Sequence, residues 1–325
     1  MIDRKSSYTV ANVFPIKLLQ CNDVPDRFGK ISPIHIQLIP TNLCNLHCSF
    51  CLCENRNKKI ESDFEILKKI TKDAANLGCK AVTITGGGEP LLYSKINELI
   101  AFLHDNLNIQ VGMVTNGTAF RKLAIESYKK LTWLRISHSD DRPFDAKYSK
   151  DLTGYILGGY NVDWSFAYVV SSKPDFVNIC NLVKYANNKH FTHVRFVSDL
   201  INIENVPDMS LIKKALSIAD IPDDLVIIQD RTKFTSGQKK CLNGLLKPVV
   251  NVDGNLYPCC GIPYAKDPPH QDYNKSMSMG SATDLYKIYQ EQIPFDGSQC
   301  VRCYYDNYNK LLEQKITQIE HGEFL

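Results

Sequence analysis

No stretch of this sequence is long and apolar enough to cross a membrane, and Met1-Ile2-Asp3-Arg4-Lys5 leads into no apolar run. Neither a signal peptide nor a transmembrane helix is expected, and the expected localisation is cytoplasmic. An excess of one charge is also missing. Thirty-eight basic residues against 35 acidic ones leave +3, too little to argue for nucleic acid or a membrane as partner. No catalytic acid–base pair stands out. What is plentiful is cysteine: 12 of them with no secretory signal, which argues against a disulfide scaffold and for metal in a reducing compartment. With 325 residues, 44% hydrophobic and 22% charged, the chain suits one large α/β domain or two, with ample core.

Strand-like and helix-like segments alternate. His35 to Pro40 reads as a first strand, and Ala81 to Thr85, Gln110 to Thr115, Trp133 to Ser137, Trp164 to Val170 and His193 to Val197 as five more. Helices are expected over Asp63 to Leu77 with Gly78 as its stop, Ile96 to Leu107, Ala119 to Lys130 and Phe176 to Ala186. Residues 1–34 show no clear periodicity and are expected to wrap the barrel or its mouth. Six strands alternating with helices imply a parallel sheet with crossovers, whose chemistry gathers where strands end.

Two motifs fall at such ends. Cys44, Cys48 and Cys51 form C-x₃-C-x₂-C directly after the first strand. Closed structural zinc takes four ligands, as do most [4Fe–4S] clusters. Three thiolates therefore either borrow a ligand from elsewhere or leave one metal open to substrate. After the second strand comes Gly86-Gly87-Gly88-Glu89-Pro90, a turn whose glycines let the backbone approach a ligand closely. The bland alternative is a zinc knuckle beside an unrelated glycine turn.

The cysteine loop, with Phe50 before its last cysteine, and Gly87-Gly88-Glu89-Pro90 together resemble the radical S-adenosylmethionine (SAM) superfamily. The resemblance covers residues 35–200 for the core and 240–305 for a second region. It implies a partial (β/α)₆ TIM-like barrel over 35–235, preceded by an N-terminal extension at 1–34. Residues 236–325 would form a small cysteine-rich α+β domain and a C-terminal helix. It also implies a [4Fe–4S] cluster on Cys44, Cys48 and Cys51, whose fourth iron chelates SAM. Reductive cleavage would then release a 5′-deoxyadenosyl radical, with the protein positioning the substrate. Gly87, Gly88, Glu89 and Pro90 would bind the methionyl end. Ser137 matches a position that often contacts SAM, although Ser137-His138-Ser139-Asp140-Asp141 departs from the common Ser-x-Asp-Gly, and Ser139 is an alternative. Asn116 is either site-facing or a turn former before Gly117.

Cys241, Cys259, Cys300 and Cys303 are the second cysteine set, and Pro248 to Pro258 around Asp253-Gly254 reads as a tight hairpin delivering Cys259. Four thiols suit zinc or a fully ligated cluster. After a radical SAM core they resemble the Twitch domain, a shortened SPASM extension carrying one auxiliary [4Fe–4S] cluster. Either Cys259 or Cys260 could ligate. The spacing from Cys241 favours Cys259, leaving Cys260 as a thiol near the cavity and a candidate hydrogen-atom donor, or simply a small buried residue. Cys79 and Cys180 sit on helix-like segments and are expected to pack. Arg195 is expected to make a structural salt bridge, Asp199 to meet substrate or cap a turn, and His138 to carry a proton or serve structure. Tyr304, Tyr305 and Tyr308 line a pocket or pack on the barrel.

The function expected is a radical SAM oxidoreductase or epimerase acting on a small polar substrate or peptide, with flavodoxin or ferredoxin as electron donor. The alternatives are a ribosomal-peptide maturase, for which residues 1–34 look too short to hold a whole leader-recognition domain, and a non-catalytic iron–sulfur or zinc protein that retains the fold.

Overall fold

The structure is a computed structural model that describes residues 8, 10–21, 30–54, 56–142, 144, 154, 161–264 and 277–317. Most of the 1–34 segment before residue 30, apart from Tyr8 and 10–21, and the end of the chain after 317 therefore lie outside the described residues.

Ten strands form one sheet in the order β10-β9-β8-β1-β2-β3-β4-β5-β6-β7. They are β1 (His35–Leu38), β2 (Ala81–Ile84), β3 (Gln110–Thr115), β4 (Leu131–Ser139), β5 (Asp163–Val170), β6 (His193–Ser198), β7 (Val226–Gln229), β8 (Val249–Val250), β9 (Asn255–Tyr257) and β10 (Gly280–Ser281). Strands β1 to β7 run parallel in sequence order, and β8 joins the other edge of β1, also in parallel. This is the open, partial barrel that the alternation implies, with β7 as a strand the sequence pattern did not separate. The hairpin around Asp253-Gly254 forms as expected. Gly254 sits at φ +80°, where a side chain would be strained, and β9 returns antiparallel to β8.

Helices cover one face. They are α1 (Val10–Gln20), α2 (Phe64–Asn76), α3 (Ile96–Ala101), α4 (Ile125–Tyr128), α5 (Phe176–Asn188), α6 (Ser210–Ile218), α7 (Asn243–Leu246), α8 (Leu285–Glu291) and α9 (Asp306–Ile316). Asp63 caps α2 by accepting the Ile66 N–H, and the helix buries Leu67, Ile70 and Ala74. Asp175 caps α5 in the same way through the Asn178 N–H. Along each strand the helix-facing residues alternate with others. Ile36, Leu38, Val82, Ile84, Leu134, Ile136, Phe166, Tyr168, Val194 and Phe196 are buried under the helices. Their neighbours His35, Gln37, Thr83, Arg135, Ser137, Ser165 and Arg195 face the concave side, which is the lumen.

Two expected helices are broken. Ile96 to Leu107 turns from α3 into a wider π-type turn over Phe102–Asn106. Ala119 to Lys130 resolves into a 3₁₀ turn at Phe120–Lys122 and the single-turn α4, because Leu123 and Ala124 adopt extended backbone between them. Helix α1 forms in a segment without clear apolar periodicity and packs against α9, where Lys315 Nζ donates to Leu18 O at 2.8 Å. Just before it, the Tyr8 hydroxyl bonds Asp163, and Phe14 stacks on Tyr308 at 4.2 Å. Among the described residues no helix is long and apolar enough to cross a membrane.

Candidate active site

The loop that follows β1 carries Cys44, Cys48 and Cys51, all half-buried, and three neighbouring strand ends hold it in place. From beyond β2, Gly88 N–H donates to Thr41 O at 3.0 Å and Glu89 N–H to Leu43 O at 2.7 Å. A side chain at Gly87 would lie 2.2 Å from Asn42 Oδ1, and one at Gly88 would lie 2.1 Å from Leu43 O. Glycine is required there because the two loops touch backbone to backbone. From beyond β3, Asn116 Nδ2 donates to Asn45 Oδ1 at 3.0 Å, and Asn45 Nδ2 to Thr118 Oγ1 at 2.8 Å. From beyond β4, Asp141 accepts the Ser49 N–H at 2.9 Å and the Ser49 hydroxyl at 3.1 Å. Buried Arg56 lies beneath the loop. Its Nε donates to Asn42 O at 3.0 Å and its Nη1 to Cys53 O at 2.6 Å and Cys51 Sγ at 3.4 Å.

Glu89 is buried and already engaged. Its carboxylate accepts from the Thr115 hydroxyl at 2.5 Å, the Asn116 N–H at 2.6 Å and the Leu91 N–H at 3.0 Å. It therefore fastens the glycine turn to the end of β3. Burial pushes its pKa up, against the pull of those three donors. The Cys51 thiol is brought down to about 6 by its hydrogen bond with Cys53 and by Arg56. Cys53, sealed beneath the loop, is pushed up, chiefly by that same bond and by burial. Arg142 links two strand ends by donating to Asn116 O at 2.8 Å and to Ser137 O. Its positive charge acts on both Glu89 and Cys48.

The second cysteine set also assembles. Cys241 N–H donates to Phe295 O at 2.8 Å, Gly237 N–H to Cys300 O at 2.6 Å and Cys303 N–H to Thr235 O at 2.7 Å. These bonds draw residues 235–241 and 295–303 together. Cys241, Cys300 and Cys303 act electrostatically on one another, and Cys259 on Cys241 and Cys300. Burial pushes all four thiols up, Cys300 to about 12. Backbone N–H groups of Gly244, Gly261 and Tyr305 point at Cys241, Cys259 and Cys303, the kind of donor that tunes cluster sulfurs. Among the described residues no three His, Cys, Asp or Glu side chains converge on a single ion. Cys259 packs with Cys300 against Ile39, Val249 and Tyr257. Cys260 instead is exposed, near Lys247, Tyr305 and Cys53.

Comparison with known proteins agrees with this layout. Residues 38–155, which contain the three-cysteine loop and the glycine turn, match the model of the radical SAM superfamily. A protein of Methanococcus maripaludis named probable GTP 3′,8-cyclase is 32% identical over 305 residues, 84% of this chain and 99% of its own length. The chain belongs to the radical SAM superfamily. An uncharacterised protein of Methanocaldococcus jannaschii is 33% identical over 155 residues, 43% of this chain, which spans about half (54%) of that relative. Streptococcus suis SuiB, solved with its precursor peptide SuiA, shares the fold at a TM-score of 0.58 and 15% identity, over 92% of this chain and 76% of that one.

The structure places Cys44, Cys48, Cys51, Gly87, Gly88, Glu89, Pro90 and Asn116 around one loop at the ends of β1 to β3. Ser137 lies on the lumen face of β4, whereas Ser139 is buried and its hydroxyl accepts the Asp141 N–H at 3.3 Å. Asp199 caps a turn through the N–H groups of Ile201 and Asn202. His138 packs outward beside Tyr168, and burial holds its pKa at about 3, so it is neutral and carries no proton near neutrality. Cys79 is buried as a packing residue, and Cys180 lines an outer groove of about 550 Å³ between α5 and α6, remote from the cysteine loops. Arg195 corrects the expected salt bridge. Among the described residues it pairs with no carboxylate, and its Nη2 donates to Tyr8 O at 2.6 Å. Sequence reasoning missed Arg56, Thr115, Arg142, Lys247 and Tyr264, single polar residues that carry no spacing signal. Tyr264 lies after the second cysteine set begins, yet its hydroxyl reaches within 2.6 Å of Asn42 Oδ1.

Proposed function

We propose that this radical SAM chain is an enzyme that holds SAM and a [4Fe–4S] cluster at Cys44, Cys48 and Cys51 and takes hydrogen from a substrate in the barrel lumen. The observation that carries this reading is the close docking of the cysteine loop on the Gly86–Gly88 turn, locked by Glu89. The three half-buried thiols of Cys44, Cys48 and Cys51 on one loop fit a cluster with one open iron, while Cys53, the fourth thiol of that stretch, faces Gly86 O. When bound, the cluster and SAM supply reductive cleavage of the sulfonium and a 5′-deoxyadenosyl radical. The chain's residues do the rest. Gly87 and Gly88 keep the approach to the loop free of side chains, with Pro90 stiffening the turn. Glu89 holds the end of β3 in register so that Asn116 and Ser137 face the bound cofactor. Arg142 sets positive charge beside the site.

Cys241, Cys259, Cys300 and Cys303 would hold one auxiliary [4Fe–4S] cluster. Their backbone N–H donors favour this over zinc. A substrate radical in the lumen would be oxidised if it lost a proton and passed an electron to that cluster. It would become an epimer if Cys260 returned a hydrogen atom, the Cys260 thiyl then taking an electron and a proton by way of the external reductant. The electron donor would be a flavodoxin or ferredoxin. A second reading is ring formation on a nucleotide, favoured by the near full-length relative named probable GTP 3′,8-cyclase.

Anaerobic reconstitution followed by iron and sulfide counting, with a 5′-deoxyadenosine assay in dithionite and SAM, tests the reading. Roughly eight irons per chain and 5′-deoxyadenosine are expected. Roughly four irons with cleavage would remove the auxiliary cluster, and absence of cleavage would remove the enzyme.

A further inference from the structure

The lumen contains a set of cations that pair with no carboxylate among the described residues. Arg135 on β4, Arg195 on β6, Arg231 after β7 and Lys247 between α7 and β8 come from four separate elements. Each acts electrostatically on at least two of the others. Strand β5 lies between β4 and β6, and its register sets Ser165 beside Arg135 and Ala167 beside Arg195. Two small side chains of β5 thus stand between the strands that carry the guanidinium groups.

None of the four cations forms an ion pair with Asp or Glu among the described residues. Each of three carboxylates on or beside these strands bonds another group. Asp163 takes the Tyr8 hydroxyl, Asp199 caps its turn, and Asp230 accepts from the Thr232 N–H at 2.9 Å and Ser198 Oγ at 3.3 Å. Arg135 and Arg195 each keep a buried Nε with no hydrogen-bond partner. What partial satisfaction exists is neutral. Arg135 lies over Trp133 at 5.0 Å, Arg231 over Tyr304 at 5.6 Å, and Arg231 Nη2 donates to Gln229 Oε1 at 3.2 Å. Cys260 acts on Lys247, whereas no thiol acts on Arg135 or Arg195. Burial and mutual repulsion push Arg135 to about 9, Arg195 to about 10 and Lys247 to about 8. Holding like charges together away from water is costly, and a fold retains that cost where a ligand repays it.

We propose that Arg135, Arg195, Arg231 and Lys247 form a binding site for a phosphate chain, which makes the substrate of this lumen a phosphorylated small molecule. The inference rests on the lumen being the substrate site, as proposed above. Guanidinium forks bind phosphate oxygens in pairs, and Lys247 adds a point charge with three donors. Three forks and one ammonium suit two or three linked phosphates better than a single carboxylate.

The test is calorimetric titration of the reconstituted full chain, with SAM, using inorganic tripolyphosphate and citrate as probes. Wild type is expected to bind tripolyphosphate more tightly than citrate. An Arg135→Gln, Lys247→Gln double variant should lose at least about tenfold in that affinity. Without ligand the same double variant should melt at a higher temperature than wild type, because two uncompensated charges are gone. A purely structural role for these residues predicts the opposite shift. An Arg195→Lys variant keeps the charge but loses the fork, and should bind more weakly while folding normally. Absence of tripolyphosphate binding to wild type, equal binding by the double variant, or citrate binding as tightly would each overturn the proposal. The 5′-deoxyadenosine assay on the same sample separates the two readings. Cleavage without tripolyphosphate binding sinks the phosphate site alone, whereas tripolyphosphate binding without cleavage supports that site and sinks the radical chemistry.

Discussion

The Thr115 hydroxyl donates to the Glu89 carboxylate across 2.5 Å, joining the end of β3 to the glycine turn beyond β2. Glu89 is 2% exposed, so each donor lost leaves a buried carboxylate short of a partner. Thr115→Val keeps the shape and removes that donor. It is expected to cost about 1–3 kcal/mol in urea unfolding and to weaken SAM binding. Thr115→Ser should restore both, and wild-type SAM affinity in the valine variant would show that Glu89 does not position the site.

Gly87→Ala tests the contact between the loops. The new methyl group would sit 2.2 Å from Asn42 Oδ1 and 2.3 Å from the Tyr264 hydroxyl. Overpacking of this kind costs about 1–3 kcal/mol, and the cysteine loop should be displaced. The expected outcome is a lower melting temperature and lower iron content after reconstitution. An unchanged iron count would mean that the loop tolerates the shift.

Asp141 holds Ser49 through both backbone and side chain, at 2.9 Å and 3.1 Å. Asp141→Ala leaves all three cysteines in place but frees the middle of their loop. Iron should then be lost to a chelator several times faster than from wild type, with global stability nearly unchanged. Cys44→Ala is expected to abolish SAM cleavage outright, whereas Cys300→Ala should retain some cleavage and impair turnover.

His138 gives a pH dependence of known sign. Its folded pKa of about 3 lies below the unfolded value of about 6.5, because burial disfavours the imidazolium. Between those values the unfolded chain binds the extra proton. Stability is therefore full above about pH 6.5 and falls, as pH drops towards 3, by up to about 1.4 kcal/mol per pH unit. Urea unfolding of His138→Gln at pH 4.5, 5.5 and 7.5 should show a shallower slope than wild type. Identical slopes would mean that the imidazole does not titrate out of its buried position.

Much of this architecture was legible because two signals repeat. Apolar alternation marked β1 to β6 within a residue or two at most ends, and Asp253-Gly254 marked the hairpin before Cys259. Cysteine spacing separated two sets that the fold then brings to two places. What escaped notice was short or solitary. Strand β7 is four residues without strong alternation, and α4 is one turn that propensity extended into a longer helix. Arg142, Lys247 and Tyr264 matter through contacts made across 26 to 222 positions of chain, which local pattern does not encode. Arg195 was read as half of a salt bridge because most arginines are, and only the lumen shows that its neighbours are cations.

Strand β1 receives hydrogen bonds from both sides, and its second partner arrives late. Gln37 N–H donates to Pro248 O at 3.0 Å and Ile39 N–H to Val250 O at 2.9 Å. During synthesis the strand that carries the first cysteine loop therefore waits for more than 200 further residues before its outer edge is covered. Until then it is an open edge at the front of a slow, long-range fold. Completion of the strand that leads into the first cysteine loop is thereby tied to the arrival of residues 248–250.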